Sequence, residues 1–334
     1  MSFRLTNGHV RLDKAGQWIR VQYDKTRFLF WHNVDVDMTK DIRTFGIRYC
    51  TKIIDDHCGL IEISDPIQTS VHMVVPALTK KFGRVAMKIT RKQLELQAGL
   101  NSAADERFPL EEIDALRYQN KNADVPVSLC CSALDETWLI RKWQPGEVLS
   151  QLHGFSWGRV ATSDLWRLFE KAFDLFHTPQ EPWLIRDIKP SNVLYAAGRF
   201  SLFDFSTTMP LAALNGRSRR NRLGTKTGRF WAPELLFDDG LPIQINSDYF
   251  SFATMLYQLL RSERGPVWQN KFPETAEARS AYADEFVKVQ AKFPKVLAEQ
   301  KIDRMRSDFL VACLNPDAGQ RPNYFIGPDT IHGE

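Results

Sequence analysis

Hydrophobic residues follow two different spacings along this chain, and the change between them falls near residue 143. Before that point, short runs rich in β-branched and aromatic residues predict strands, bounded by glycine, asparagine or charged residues. One segment in this half, residues 110–119, has helical spacing instead. The predicted strands lie at 18–23, 27–31, 59–63, 72–75, 84–89 and 137–143.

The second half is predicted to be mainly helical. Gln144-Pro145-Gly146 breaks regular structure, and Ser163 is then positioned to cap a helix. The apolar residues of that helix share one stripe: Leu165, Leu168, Phe169, Ala172, Phe173 and Phe176. Further helices are expected at 247–260, 278–293 and 304–314. The pattern predicts an α+β fold with a hinge near residue 145 and a cleft between its halves.

Composition narrows the class of protein but not its chemistry. The 334 residues are 43% hydrophobic and 25% charged, which is typical of a folded globular protein. The net charge of +4 gives no support for a nucleic-acid partner. No apolar run is long enough to span a membrane, and the first residues do not resemble a secretory signal. Five cysteines without metal-ligand spacing indicate reduced thiols, so we expect a soluble, cytoplasmic protein without a membrane partner.

One set of polar residues suggests a reaction. Asp187 is followed by Lys189, by Asn192 five positions on, and by Asp204 twelve positions after the asparagine. Pro190 places the first three residues in a loop. Phosphoryl transfer requires a carboxylate to accept a hydroxyl proton, and oxygen ligands for the Mg²⁺ ions that bridge the phosphates. The spacing is therefore typical of a phosphoryl-transfer site.

The sequences at 185–192 and 202–206 resemble the catalytic and metal-binding loops of the eukaryotic-type Ser/Thr protein kinase family. Other elements of that family follow in the expected order, over roughly residues 58–325. They are the Val85-Ala86-Met87-Lys88 strand, a helix at 110–116, the segment 225–234 ending in Ala232-Pro233-Glu234, Asp248 at the start of a helix, and Arg321.

The resemblance implies a bilobal fold: an N-terminal extension at 1–57 that contains strands and packs on the N-lobe, the N-lobe at 58–143 and a helical C-lobe at 144–334. It also implies ATP with Mg²⁺, or Mn²⁺, as cofactors and a protein substrate. Asp187 would act as base and Lys189 would neutralise the transferring phosphoryl group. The nucleotide would be held by Lys88 paired with Glu112 (Glu111 is the alternative), and the metal by Asn192 and Asp204.

Regulation and substrate preference are also implied by the resemblance. Arg186 would receive a phosphate on the activation segment, with Thr225 as the autophosphorylated residue and Ser218 as the alternative. Thr227 and Lys189 favour Ser/Thr over Tyr substrates.

Three positions depart from the family pattern. Ile185 replaces a usual histidine, and Ser206 replaces a glycine whose freedom at positive φ helps the segment to rearrange. Residues 64–71, where the family has a glycine-rich phosphate loop, contain no glycine. We expect the hydroxyls of Ser64, Thr69 and Ser70 to take over part of the phosphate contact.

Two other functions compete with an active protein kinase. A kinase-like module that binds partners without catalysis would explain the glycine-free loop but not the retained lysine and carboxylates. A small-molecule phosphotransferase of related fold would lack the Ala-Pro-Glu element and the Asp248 helix, which shape a platform for peptide substrates.

Overall fold

A computed structural model describes most of the chain. The chain forms two compact units, Met1–Trp143 and Gln144–Glu334. The described residues are 9–12, 18–21, 42–68, 72–90, 94, 128–131, 138–152, 159–205, 207–215, 230–236, 242–261 and 276–325.

The first unit contains an antiparallel sheet with the strand order β3-β5-β6-β8-β7, and β4 also pairs with β5. A separate two-stranded ladder joins β1 and β2. The strands are β1 His9–Leu12, β2 Trp18–Val21, β3 Leu60–Ile63, β4 Ile67–Gln68, β5 His72–Thr79, β6 Gly83–Thr90, β7 Ser128–Cys131 and β8 Trp138–Lys142.

Helix α1, Ile42–Cys58, packs on one face of this sheet. Its buried Cys50 and Ile54 belong to the same core as Val85, Met87 and Ile89 of β6. Side chains alternate between the two faces of a strand, so Lys88 lies on the face opposite α1. Helix α1 is a difference from the prediction, since the strand-like runs before residue 57 predict strands in this segment.

The second unit is mainly helical, as predicted. Its strands are β9 Glu147–Val148, β10 Trp183–Leu184, β11 Val193–Ala196, β12 Arg199–Leu202 and β13 Met209–Pro210. Its helices are α2 Arg159–Phe176, α3 Leu211–Asn215, α4 Pro233–Leu236, α5 Asn246–Leu260, α6 Ala276–Glu299 and α7 Arg304–Cys313. Single 3₁₀ turns cover Leu149–Gln151, Pro190–Asn192 and Ala318–Gln320.

Helix α5 forms the centre of the second unit. Thirteen of its fifteen residues are buried, so it is covered on nearly all sides. Aromatic rings pack around it: Trp166 and Phe169 of α2 contact Phe252 at centroid distances of 5.5 and 4.7 Å. Phe173 contacts Tyr249 at 5.0 Å. This packing fixes α5 and therefore every polar group on its first turn.

Helix boundaries differ from the prediction at two places. Helix α2 begins at Arg159 rather than after Ser163, and Thr162, 1% exposed, lies on its buried side. Helix α6 continues past Pro294, where Phe293 and Leu297 are both fully buried and hold the next turn against the core. Within the described parts of the chain, every helix is too short or too polar to cross a bilayer.

Gly146 is a position where the backbone excludes a side chain. Its φ is +136°, and a Cβ would lie 2.8 Å from the carbonyl oxygen of Tyr195. We expect Gly146→Ala to lower the free energy of unfolding by about 2 kcal/mol or more, through backbone strain and this clash. Chemical denaturation measures the change.

Gly198 provides the matched control for that substitution. It also has positive φ, +81°, but a Cβ there would meet nothing within 4 Å. Gly198→Ala should therefore cost only the backbone strain, about 1 kcal/mol. Equal losses in the two variants would show that the Tyr195 contact carries no energetic weight.

Two thiols report on unfolding, one in each unit. Burial raises the pKa of the Cys50 and Cys313 thiols, with Arg321 opposing the rise at Cys313. The unfolded chain ionises these thiols above about pH 8.5, whereas the folded chain keeps them protonated. This contribution to stability is therefore complete below that pH and is lost as the pH rises further.

We expect iodoacetamide to leave Cys50 and Cys313 unmodified in the folded protein between pH 7 and 9 and to modify both in urea. Mass spectrometry of the digested protein measures the labelling. Modification of either thiol without denaturant would contradict its burial.

Candidate active site

The loop after β10 owes its shape to a proline. The residue before a proline favours extended backbone, and Lys189 has φ −159° and ψ 159°. Pro190 then opens the 3₁₀ turn, which closes with the amide of Asn192 donating to the carbonyl of Lys189 at 3.0 Å. This turn brings the side chain of Asn192 back beside Asp187.

Asp187, Lys189 and Asn192 form one hydrogen-bonded cluster. The Lys189 ammonium lies 2.5 Å from Asp187 Oδ2. Asn192 Nδ2 donates to the same oxygen at 3.0 Å and to the Asp187 backbone carbonyl at 2.9 Å. Asp187 is 6% exposed and Asn192 is 5% exposed. Because both side-chain contacts use Oδ2, Oδ1 is the carboxylate oxygen left to accept a bond from an incoming hydroxyl.

A tight hairpin returns the chain from Asn192 to Asp204. Strands β11 and β12 pair from Val193 opposite Leu202, and the two turn residues Ala197 and Gly198 both have positive φ. The Phe203 amide then donates to the Asn192 carbonyl at 3.3 Å. Asp204, half-buried, follows directly. Asp204 is therefore the neighbour in sequence of Phe203, whose backbone is hydrogen-bonded to Asn192.

The backbone just before Asp187 is held by a buried carboxylate on α5. Asp248, 0% exposed, accepts the amides of Ile185 at 2.7 Å and Arg186 at 2.8 Å. Arg186 has φ +69°, and the Asp187 amide donates to the Ile185 carbonyl at 2.9 Å, which makes a strained γ-turn. Such strain persists where surrounding contacts determine the conformation.

His177 also contacts Asp248, and the sequence analysis missed it. Its Nε2 lies 2.9 Å from Asp248 Oδ2, and its Nδ1 lies 3.4 Å from the Tyr249 hydroxyl. Burial, reinforced by the Asp248 carboxylate, raises the pKa of Tyr249, so its hydroxyl stays protonated and can donate to Nδ1. The available signal was the position of His177, directly after the last apolar residue of α2.

Lys88 lies on β6 in the first unit. It is 5% exposed, and its cross-strand neighbours are Val74 on β5 and Leu139 on β8. Ala86 shares its face of β6 and is 3% exposed. Glu112 and Glu111, the predicted partners of Lys88, lie outside the described residues, as do Thr69, Ser70 and Ser206.

The region predicted as the phosphate loop begins in an interrupted edge strand. Strands β3 and β4 both pair with β5, and Ser64 donates its amide to the Pro76 carbonyl at 2.9 Å between them. Ile67 pairs with Val74 and Gln68 with Met73. The described part of the glycine-free segment, residues 64–68, therefore lies along β5 at the sheet edge.

The donor set near Asp187 suits a hard divalent cation. The Asn192 amide nitrogen is used as a donor, so its Oδ1 is the atom that could bind a metal, and Asp204 is the other predicted oxygen ligand. Among the described residues, no three His, Cys, Asp or Glu side chains form a metal cluster. Mg²⁺ fits such a site, because it commonly takes one or two protein oxygens and completes its shell with water and substrate phosphates.

Comparison with known proteins addresses the family to which this chain belongs. The protein kinase domain profile matches residues 74–326. The chain belongs to the protein kinase family. A probable serine/threonine-protein kinase of Dictyostelium discoideum, gdt4, is 30% identical over 145 residues, which is 42% of this chain and 8% of that protein. The chain thus spans a small part of this relative's length. Membership of the family implies, in general, the use of ATP with a divalent metal.

Arg321 and Glu234, two of the elements on which the family resemblance rests, form a buried ion pair in this kinase. Arg321 donates to both carboxylate oxygens of Glu234, at 2.6 and 2.9 Å, and both side chains are almost fully buried. Ser247, on the first turn of α5, donates to Glu234 at 2.5 Å. The Arg321 guanidinium also donates to the carbonyls of Asn315 and Pro316. Glu234 is thereby tied to the same helix turn as Asp248.

The side chain of Arg186 in this kinase is also engaged. It is 4% exposed, and its Nη1 donates to the Thr207 carbonyl at 3.1 Å and contacts Met209 Sδ at 3.0 Å. The predicted phosphorylated residues, Thr225 and Ser218, and Thr227 lie outside the described residues.

Removing one partner of the Glu234 pair should be costly. We expect Arg321→Ala to lower the free energy of unfolding by about 3 kcal/mol, because Glu234 would keep a buried charge without its bidentate partner. Thermal and chemical denaturation measure the loss.

An exposed ion pair is the control for Arg321→Ala. Lys52 and Asp56 lie 2.7 Å apart with side chains 58% and 54% exposed, so Lys52→Ala should cost about 0.5 kcal/mol or less. Similar losses at the two sites would contradict a structural role for the buried pair.

Proposed function

We propose that this kinase transfers the γ-phosphoryl group of ATP to serine or threonine hydroxyls of a protein substrate. The observation that supports it most is the cluster of Asp187, Lys189 and Asn192, in which one carboxylate is oriented by an ammonium and an amide. Asp187 is the proposed base, and Oδ1 is the oxygen that receives the hydroxyl proton.

Lys189 supplies positive charge beside the base. The Lys189 ammonium, 2.5 Å from Asp187, is close enough to the proposed base to neutralise charge on the transferring phosphoryl group. Its extended backbone, imposed by Pro190, holds the ammonium in this position. The two residues therefore act together, one on the attacking hydroxyl and one on the group being transferred.

Asn192 and Asp204 are the proposed ligands of Mg²⁺ or Mn²⁺. Their oxygens have the hard character that these ions prefer, and the Phe203–Asn192 backbone bond keeps the two residues near one another. Lys88 is the proposed contact to the nucleotide phosphates, because it is the lysine of the Val85-Ala86-Met87-Lys88 strand and its ammonium complements the negative charge of phosphate. Mg-ATP itself supplies the phosphoryl group and the metal that neutralises its oxygens.

The protein substrate is supported by the buried Glu234–Ser247–Arg321 network, which attaches the Ala232-Pro233-Glu234 element, the proposed substrate platform, to the first turn of α5. A small-molecule phosphotransferase has no need for that platform. Serine and threonine specificity is supported by the name of the Dictyostelium relative and by Lys189 two residues after Asp187. We also propose a cytoplasmic location and autophosphorylation at Thr225 or Ser218.

A non-catalytic nucleotide-independent module is the second candidate, and the glycine-free segment at 64–68 is the observation that favours it. The two candidates differ in nucleotide binding. An active kinase is stabilised by ATP with Mg²⁺, whereas such a module shows no thermal shift.

We expect Asp187→Asn to reduce phosphate transfer by about a thousandfold or more, because the proposed base is removed, while leaving the thermal shift by Mg-ATP in place. Lys88→Met should weaken the thermal shift itself. Transfer from labelled ATP to a panel of protein and peptide acceptors measures the first effect, and differential scanning fluorimetry measures the second.

Asp56→Asn is the matched control, since Asp56 is exposed on α1 and should leave transfer unchanged. Equal transfer by wild type and Asp187→Asn, with either Mg²⁺ or Mn²⁺, would exclude the active-kinase function. Transfer to small alcohols but to no protein would favour a small-molecule phosphotransferase.

A further inference from the structure

We infer that Thr207 is a positioning residue, supported by Thr208, which sets the Asp204 segment relative to Asp187 by hydrogen bonding to the strained turn at Ile185–Asp187. The inference rests on the proposed function of those two carboxylates. It concerns hydroxyl groups outside the predicted catalytic and metal-binding set.

Thr207 bonds to the turn in both directions. Its Oγ1 donates to the Ile185 carbonyl at 3.1 Å, and its own carbonyl accepts from Arg186 Nη1 at 3.1 Å. Thr208 Oγ1 donates to the same Ile185 carbonyl at a longer distance, 3.4 Å. Thr207 is 9% exposed and Thr208 is 0% exposed. Two residues on one segment therefore hold one carbonyl of the other segment.

Backbone hydrogen bonds between these segments are few among the described residues. Strands β10 and β13 pair at two positions, Trp183 with Pro210 and Leu184 with Met209, and the Leu211 amide donates to the Pro182 carbonyl at 2.8 Å just beyond them. Pro210 has no amide hydrogen, so it cannot donate to the ladder. Side-chain hydrogen bonds consequently carry much of the connection between the segment that ends at Asp187 and the segment that begins at Asp204.

The hydroxyls of Thr207 and Thr208 differ from other buried, hydrogen-bonded threonine hydroxyls in the segments that they join. Thr51 of α1 is 4% exposed and also donates to a backbone carbonyl, that of Ile47, at 2.6 Å. That bond lies within one helix and joins no two segments. The Thr207 bond instead joins a residue two positions before Asp187 to a residue three positions after Asp204. A shift there moves the proposed base relative to a proposed metal ligand.

The test compares Thr207→Val, which removes the hydroxyl at nearly constant volume, with Thr207→Ser, which keeps it. We expect Thr207→Val to lower kcat about tenfold with little change in the Mg-ATP concentration at half-saturation, because misplaced groups act mainly in the transition state. Thr207→Ser should restore kcat to within about twofold of wild type. Thr51→Val is the control for the stability cost of losing a buried hydroxyl.

A second readout does not require activity. Amide hydrogen exchange of the peptides covering 183–192 and 203–210 should become faster in Thr207→Val and stay unchanged in Thr51→Val. If wild type transfers no phosphate, the proposed function fails, and this exchange measurement alone decides whether Thr207 joins the segments.

Three results would overturn the inference. The first is a kcat of Thr207→Val within twofold of wild type. The second is equal impairment by Thr207→Ser and Thr207→Val, which would assign the effect to the methyl group or to packing. The third is exchange in the two peptides that Thr207→Val leaves unchanged.

Discussion

The carboxylate of Asp248 is the constraint on which the local geometry of this kinase depends. It is 0% exposed, and it accepts the amides of Ile185 and Arg186 together with a contact from His177. A buried carboxylate is tolerated only with such donors, and the strained γ-turn at Arg186 is tolerated only with such an acceptor. Each feature therefore requires the other. Asp187 follows that turn directly, so its position depends on the pair.

The first turn of α5 also connects the Asp187 loop to Glu234 in the proposed substrate platform. Ser247 precedes Asp248 on α5 and donates to Glu234, which is held by Arg321. Aromatic packing of Phe252 and Tyr249 against α2 keeps α5 in place. Two buried charges with different tasks thus share one rigid element. This arrangement limits the independent movement of Asp187, the proposed base, and of Glu234 in the proposed substrate platform.

Local sequence signals predicted much of this structure. The strands around Lys88, the central helix and the Asp187–Asn192 loop follow from side-chain periodicity and from Pro190, which act within a few residues. Helix α1 was not predicted, although Phe45, Tyr49, Cys50 and Ile54 have helical spacing. The strand-like runs at 18–23 and 27–31 favoured strands for the whole segment before residue 57. His177 and Thr207 were missed for another reason. Their partners lie 71 and 22 positions away, and only the folded chain brings them together.

The replacement of the usual histidine by Ile185 follows from the same contacts. The hydrogen bonds at this position are made by the Ile185 backbone. Its amide donates to Asp248, and its carbonyl accepts from the Asp187 amide and from the hydroxyls of Thr207 and Thr208. The Ile185 side chain is 2% exposed and packs as hydrocarbon. Since every residue type except proline offers the same backbone donor and acceptor, the side chain can change as long as it stays buried. His177, directly after α2, meanwhile gives Asp248 an imidazole.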